Sequence, residues 1–390
     1  MPTKIPIILF VISLSVSVVT PSATYDDNRR LEKDLLSNYS QTIRPILNQS
    51  AIMEIDIAFN INGIMEIDDV GQIMVTNAHF SLQWKDELLT WEPADYGGLE
   101  FMHPSPQVRW KPRIMIINSI YKRDVFSDES HTYLVQSDGN VTWAPSAVFS
   151  VFCNLDMTKF PFDVQKCTVY ILPVEYTYKE LRLKLNPIIP LGDVQEHGEW
   201  VIVRADGQEF DEPAHPRALY KVSVTLILAR RPAFILLNVY LPVLVLSFLN
   251  VAVFAVPVDS GEKLSYVLTV LLSLAVFISI VSGMLPTTST NIPLLTIYLS
   301  TLLCLSTCSV LLTVFIIRVH HRPPERVIPR ALLLVTKLMK RATVKRREAE
   351  KHQKEITWEL VSEALDKLFL YLSTIFVLAT SVILIVIIMN

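Results

Sequence analysis

The sequence predicts two joined architectures: an extracellular all-β sandwich with a short N-terminal helix, and a transmembrane bundle of four helices. Three observations carry this. Short runs alternating apolar and polar residues recur from about Met53 to Ile227, the period of half-buried strands. Apolar stretches then begin near Ala233, Leu264, Leu294 and Leu368, each near the ~20 residues a helix needs to cross a bilayer. The opening Lys4, Ile5 to Val19 and Pro21-Ser22-Ala23 resembles a secretory signal with its small-residue cleavage region. Hydrophobic residues make up 51% and charged residues 19%, and the mean hydropathy of +0.38 fits a membrane protein with a sizeable polar part. Lys and Arg cluster beside the apolar stretches, so no basic nucleic-acid footprint is present.

The elements follow in order. Residues 1–23 are the expected signal peptide. Within 24–231, Asp27 to Leu36 reads as an amphipathic helix with Leu31 and Leu35 on one face, and Pro45 ends any continuation. Met53, Ile55, Ile57 and Phe59 then alternate with Glu54, Asp56 and Ala58. Turns at Asp68-Asp69, Asp95-Tyr-Gly-Gly, Ser137-Asp-Gly-Asn and Ala205-Asp-Gly separate the strands of a sandwich. The composition shifts at Arg230-Arg231-Pro232. Three spans are expected within 232–318, the first kinked at Pro242. A segment at 319–366 carries a basic helix, and its lysines and arginines make it cytoplasmic. A fourth span at 367–390 returns the chain to the outside.

The second span carries the chemistry. Ser265, Thr269, Leu272, Val276 and Ile280 are spaced four, three, four and four residues apart and fall in one line on a helix. Asp259 and Glu262 stand at its start. Around a shared axis these acids would form rings of negative charge, which select cations, and Leu272 would form a ring that gates by dewetting. An ordinary bundle helix with acids complementing its dipole fits the same residues. Cys153 and Cys167 lie where oxidation is permitted and can close a loop, whereas Cys304 and Cys308, one turn apart in an apolar helix, read as packed thiols. The sequons at Asn38, Asn48 and Asn140 fit a secreted domain. No nucleophile-plus-base pattern, phosphate loop, cofactor motif or metal-ligand spacing stands out, so an enzyme is not expected.

The stretch Cys153-Asn-Leu-Asp-Met-Thr-Lys-Phe-Pro-Phe-Asp-Val-Gln-Lys-Cys167 resembles the signature loop of the Cys-loop receptors, the pentameric ligand-gated ion channels. A bridge over such a loop restricts the unfolded chain by on the order of 3 kcal/mol. The resemblance extends over nearly the whole mature chain. Tyr39, Ile43-Arg-Pro45, Trp84, Trp110-Lys-Pro112 and Trp143-Ala-Pro145 resemble the family's sandwich motifs. Ser260-Gly-Glu-Lys263, Val270-Leu-Leu-Ser-Leu274 and His320-His-Arg322 resemble its cation-selective, nicotinic branch.

The resemblance implies a pentamer in the plasma membrane, in which four further subunits, identical or not, join this one. Its other partners would be membrane lipid, monovalent cations with Ca²⁺ as a further candidate, and a small extracellular ligand. Glu262 would form the main selectivity ring and Leu272 the gate, with Asp259, Ser265, Thr269, Val276 and Ile280 lining the rest. At the outer end, Ser282-Gly283 stands where nicotinic relatives often carry an acid. Asp69, Val70, Phe160, Pro161, Phe162, Asp163, Arg230 and Pro286 match the positions that couple sandwich to pore, with an ion pair expected between Asp163 and Arg230. Interfacial snorkelling is an alternative for Arg230 and Arg231.

The agonist cage fits less well. Val174 and Ile117 stand where aromatics are expected, and Arg113 stands where an Asp is expected. His79 and Phe80 occupy the neighbouring face, and the loop from Ala205 to Tyr220 lacks paired adjacent cysteines. Tyr176, Tyr220, Tyr133 and Tyr178 remain as candidate ligand contacts, each equally readable as a half-buried strand aromatic. His79 permits pH sensitivity or serves as an ordinary strand residue. The expected function is therefore a subunit of a cation channel opened by a ligand the sequence does not name. The alternative is a non-conducting or obligate hetero-oligomeric binding subunit of the same family.

Overall fold

Helix α1 (Tyr25–Leu36) opens with a reciprocal cap: the Asp27 amide donates to the Thr24 hydroxyl, and the Thr24 amide donates to the Asp27 carboxylate. In this computed structural model the described residues are 22–105, 109–121, 123–124, 126, 133–212, 219–286, 291–344 and 357–389. The signal-like stretch up to residue 21 and the basic residues Lys345, Arg346, Arg347, Lys351 and Lys354 lie outside them.

Eleven described strands follow: β1 (Met53–Asp68), β2 (Ile73–Lys85), β3 (Phe101–Met102), β4 (Ile114–Ile116), β5 (Tyr133–Gln136), β6 (Asn140–Trp143), β7 (Ser146–Phe152), β8 (Val164–Pro173), β9 (Leu181–Leu185), β10 (Trp200–Glu212) and β11 (Leu219–Arg230). One sheet runs β3-β5-β6-β2-β1-β9 with β7 also paired to β2, and the other runs β10-β11-β8-β4. Alternation decides which side chains meet between them. Ile55, Ile57 and Phe59 of β1, Phe80 and Leu82 of β2, Val169 and Ile171 of β8, and Val224 and Leu226 of β11 are all buried. Each such side chain contributes roughly 1.5–3 kcal/mol of burial. Arg44 ties the segment after α1 to this sandwich by donating to the carbonyls of Gln49, Ala51 and Glu180. Cys153 and Cys167 are disulfide-bonded, with Cα atoms 5.1 Å apart.

Among the described residues, four helices are long and apolar enough to cross a membrane. The first, over Ala233–Ala255, is compound: α2 (Ala233–Ile235), a π turn at Leu236–Tyr240, α3 (Leu241–Ala252) and a 3₁₀ turn at Val253–Ala255. The π turn ends two residues before Pro242, whose ring lacks an N–H and collides with the preceding turn. Widening that turn accommodates it. The others are α4 (Lys263–Gly283), α5 (Leu294–His320) and α7 (Trp358–Met389), with α6 (Arg330–Val344) between the last two.

The expected start of the fourth span, residue 367, falls inside α7, which is unbroken from Trp358. Trp358, Val361 and Leu365 bury against Val253, Phe254, Ile316 and Val319. That apolar seam holds the helix together although its first turns carry Glu359, Glu363 and Asp366.

At the far end of the sandwich, the Asp86 carboxylate accepts from the Tyr39 hydroxyl (2.5 Å) and from the amides of Leu88 and Leu89. Its own amide donates to the carbonyl of Gly139, which has a φ of +90°. A Cβ at residue 139 would stand 2.4 Å from the Asp86 carbonyl oxygen, so the turn requires glycine there. Burial pushes the Asp86 carboxyl up to about 6, against the lowering pull of those hydrogen bonds. The folded state therefore binds the proton more tightly than the unfolded chain. Stability is greatest below about pH 4 on this account and falls as pH rises through about 6, by on the order of 2–3 kcal/mol. Melting of the purified full-length protein is expected to show this decline, and Asp86→Asn, which keeps an acceptor without a titrating group, is expected to flatten it.

Candidate functional site

Helix α4 buries one side and exposes the other. Lys263, Val267, Val270, Leu274 and Val281 are buried, whereas Ser265, Thr269, Leu272, Val276 and Ile280 are exposed, Leu272 by 66%. Glu262 and Asp259 are exposed at its start. The residues singled out by spacing thus share the face of α4 turned away from its own bundle. Two exposed hydroxyls of the helix are satisfied locally: Thr269 donates to the Ser265 carbonyl and Ser273 to the Thr269 carbonyl, both at 2.9 Å. The opposite face is fixed by an ion pair the sequence reading did not find. Lys263 Nζ lies 2.5 Å from Asp366 Oδ1 of α7, with the lysine side chain 1% exposed. An ionisable residue in each of two apolar spans was the available signal.

The junction between sandwich and helices is built around Arg230, the last residue of β11. Its Nε donates to Asp163 Oδ1 (2.9 Å) and its Nη2 to Asp69 Oδ1 (2.9 Å) and Asp163 Oδ2 (3.2 Å). The guanidinium lies 4.1 Å from the ring centre of Trp200 and 5.1 Å from that of Phe160. The Arg230 and Asp163 side chains are 2% and 1% exposed. Burial opposes the charge on Arg230, but the hydrogen bonds and charges of Asp69 and Asp163 outweigh it and hold the guanidinium above its usual range. Burial raises the Asp69 carboxyl, offset in part by Arg230.

The cysteine loop touches the helices directly. Tyr240 of the first span donates to the Phe160 carbonyl (2.8 Å), and the Leu294 amide that begins α5 donates to the Thr158 carbonyl (3.1 Å). Phe162 is exposed and Pro161 buried within that loop, Val70 is exposed at the β1–β2 turn, and Pro286 is buried after α4. The expected pair of Asp163 with Arg230 is present. Asp69 as a second carboxylate and Trp200 beneath the guanidinium are additions that only three-dimensional proximity reveals.

The ligand candidates divide. Val174 and Arg113 meet where the Val174 amide donates to the Arg113 carbonyl (3.0 Å), and the Ile117 amide donates to the Tyr170 carbonyl (2.9 Å). Arg113 and Glu175 form an ion pair of 2.6 Å on this surface. Tyr176 is half-buried and accepts from Trp110 Nε1 (3.1 Å). The Tyr220 hydroxyl donates to Glu209 Oε2 (2.5 Å), and Tyr178 stacks near Lys179 Nζ (5.8 Å).

Two candidates are corrected. Phe80 is wholly buried, edge-on to Phe59 and Phe126, because strand alternation turns it inward when its neighbour His79 faces out to Ser146. Tyr133 is also a core residue, stacked on Trp143, with the Arg109 guanidinium 3.1 Å from its ring centre. Burial pushes its hydroxyl up to about 12. The sequon residues Asn38, Asn48 and Asn140 are all exposed.

Residues 28–232 match the family model of the neurotransmitter-gated ion-channel ligand binding domain, and residues 239–354 match that of the neurotransmitter-gated ion-channel transmembrane region. The chain is 35% identical over 334 residues to the human neuronal acetylcholine receptor subunit alpha-3, covering 83% of this chain and 65% of that one. It is 31% identical over 310 residues to the Gallus gallus subunit beta-4, covering 78% and 65%. It is 34% identical over 328 residues to the Rattus norvegicus subunit beta-3, covering 82% and 70%. The chain thus spans about two thirds of the length of these relatives. With its β-sandwich, disulfide-closed loop and four apolar helices, the chain belongs to the neurotransmitter-gated ion channels, in their Cys-loop, nicotinic-like branch, a family of multi-pass plasma-membrane receptors and not of enzymes.

Proposed function

We propose that this chain is one subunit of a pentamer that encloses a cation-selective pore, opened when a small ligand binds between neighbouring sandwiches. The observation that carries the reading is the face of α4 running from Glu262 through Ser265, Thr269, Leu272 and Val276 to Ile280, exposed along its length while the opposite face is locked into the bundle. In a ring of subunits that face lines an axis. Glu262 supplies the charge that favours cations, with Asp259 at the inner mouth, and Leu272 supplies the apolar constriction.

Opening is driven through the junction. Tyr220 and Arg230 lie on the same strand, β11, so a ligand that displaces the outer end of the β10–β11 hairpin pulls on Arg230 at its inner end. Arg230 grips the cysteine loop through Asp163, and that loop is bonded to the first span and to α5. The ligand shifts the pore only by as much as its affinity differs between closed and open arrangements.

A second reading is supported by the ligand face. Val174 and Ile117 offer no ring to an organic cation, and the surface carries the Arg113–Glu175 pair instead. A subunit of this kind relies on a different neighbour for agonist recognition, and acetylcholine bound by an aromatic cage is not the expected ligand.

Voltage-clamp recording from cells expressing the chain alone separates the two. Leu272→Ser is expected to wet the constriction and give standing current without a known agonist, and adding Glu262→Ala is expected to move the reversal potential away from the cation equilibrium value. If the protein reaches the surface as a pentamer and Leu272→Ser remains silent, the chain depends on a partner subunit. Arg230→Gln strands a buried carboxylate at a cost of about 3–5 kcal/mol. Surface labelling should fall sharply, and Arg230→Gln with Asp163→Asn should recover part of it, because the more deeply buried of the two stranded carboxylates is gone.

A further inference from the structure

Where α5 ends and α7 begins, the fold leaves a cavity of about 300 Å³ whose wall includes His320, Arg322, Ile328, Thr357, Trp358 and Glu359. With the sandwich outside, the third crossing ends on the cytosolic side, and the fourth starts there. The cavity therefore opens at the inner face of the bilayer. Its depth is set by the neighbouring α6. That helix packs Leu332 and Val335 toward the seam that holds Trp358 and leaves Leu334 and Leu338, one turn apart, exposed. Arg330 and Lys337 of α6 are exposed beside them. A helix that shows an apolar pair and cations together lies between headgroups and acyl chains.

Within the wall the unbalanced charge is that of Arg322. Among the described residues no carboxylate lies within ion-pair distance of it. Its guanidinium stands 5.1 Å from the centre of the Trp358 ring, which holds a planar fork of N–H donors in place. Trp358 is buried, and its indole N–H has no acceptor among the described residues. Helix α7 adds its N-terminus, where the Thr357 hydroxyl accepts from the Leu360 amide (3.4 Å) and the dipole end is positive. His320 is already engaged, with Nε2 3.0 Å from Asp259 Oδ1 and Nδ1 2.9 Å from Ser362 Oγ. Glu359 is the acid in this wall, exposed at the second residue of α7.

We propose that this cavity holds the headgroup phosphate of an anionic lipid from the inner leaflet, with Arg322 as its principal contact. A guanidinium fork meets two phosphate oxygens at once, and helix N-termini take phosphates through their free amides. The lipid source follows from placement, since the exposed leucines of α6 put acyl chains next to the opening and basic pockets at this face suit lipid heads. A phosphomonoester head, which carries about −1.5 to −2 charges at neutral pH, is preferred over a zwitterionic one. Seated there, the lipid clips the end of α5 to the start of α7. The site does not depend on which residues line the pore.

The test is native mass spectrometry of the purified full-length protein in detergent, equilibrated with phosphatidate or with phosphatidylcholine of the same acyl chains. Phosphatidate is expected to bind more tightly, and Arg322→Gln to weaken it roughly tenfold. Glu359→Gln, which removes the opposing charge, is expected to tighten it. Arg326→Gln, exposed and outside the cavity wall, is expected to change nothing. Equal affinity for the two lipids, an unaffected Arg322→Gln, or an equal loss in Arg326→Gln, which marks diffuse surface charge, overturns the proposal. Should Arg322→Gln fail to fold, Glu359→Gln decides, and no gain in affinity overturns it. Inorganic phosphate and glycerol phosphate are the soluble arm: either one displacing phosphatidate at equal concentration overturns the lipid as the source.

Discussion

The structure depends on one buried cation. Arg230 sits where strand becomes membrane helix, and its guanidinium must be neutralised within a few ångströms or expelled. Asp163 and Asp69 do this from two different loops, and Trp200 and Phe160 cover what remains. A desolvated charge costs several kcal/mol when unpaired, so the loops that neutralise it are held in register by that cost. Asp163 belongs to the disulfide-closed loop and Asp69 to the β1–β2 turn, so both sheets and the first span are fixed at one point. The Gln165 amide donates to Asp163 (2.5 Å), which fixes the carboxylate for its bidentate contact with Arg230.

The helix bundle is anchored by similar polar contacts, because lipid gives helices little hydrophobic reason to associate. Near its outer end the Tyr298 hydroxyl lies 3.3 Å from Ser247 and 2.9 Å from Ser381, linking the first span, α5 and α7. Near its inner end Lys263 and Asp366 join α4 to α7. Helix α4 is thus held by its back, leaving the Leu272 face exposed among the described residues. The bundle orients this face through its anchors, since an apolar helix with hydroxyls on several sides has little reason to choose a rotation by itself.

Much of this was legible in the chain, for physical reasons that differ by region. Strand alternation named the core residues of β1, and the four apolar lengths named the spans, because both follow from period and bilayer thickness. The line from Ser265 to Ile280 was legible because it lies on one helix, where spacing alone determines the face. The Arg230–Asp163 pair was readable only through the resemblance, since the partners are 67 residues apart. Phe80 and His79 show where the reading fails: adjacent strand residues cannot share a face, and a site assigned to both was half wrong. The Thr24 cap lengthened α1 beyond its apolar stripe, and α7 begins at Trp358, ahead of residue 367, because Trp358, Val361 and Leu365 continue its apolar seam.

The contrast between pore and ligand face follows from how each is built. A pore face needs one helix with a correct line of residues, repeated by symmetry. A cage needs rings from several loops to meet across a gap, and the loss of two of them removes most of the cation–π attraction, worth ~0.5–2 kcal/mol each. The resemblance expects rings where Val174 and Ile117 stand, and polar groups of the candidate surface are paired with each other, Arg113 with Glu175 and Tyr220 with Glu209. On the reading proposed above, a ligand entering here would displace those internal pairs and replace their hydrogen bonds, which favours one that carries its own charges over a simple quaternary cation. The transmission proposed from β11 through Arg230 does not depend on which ligand that is. A fold with the proposed division can keep its gate and its junction while its recognition surface changes.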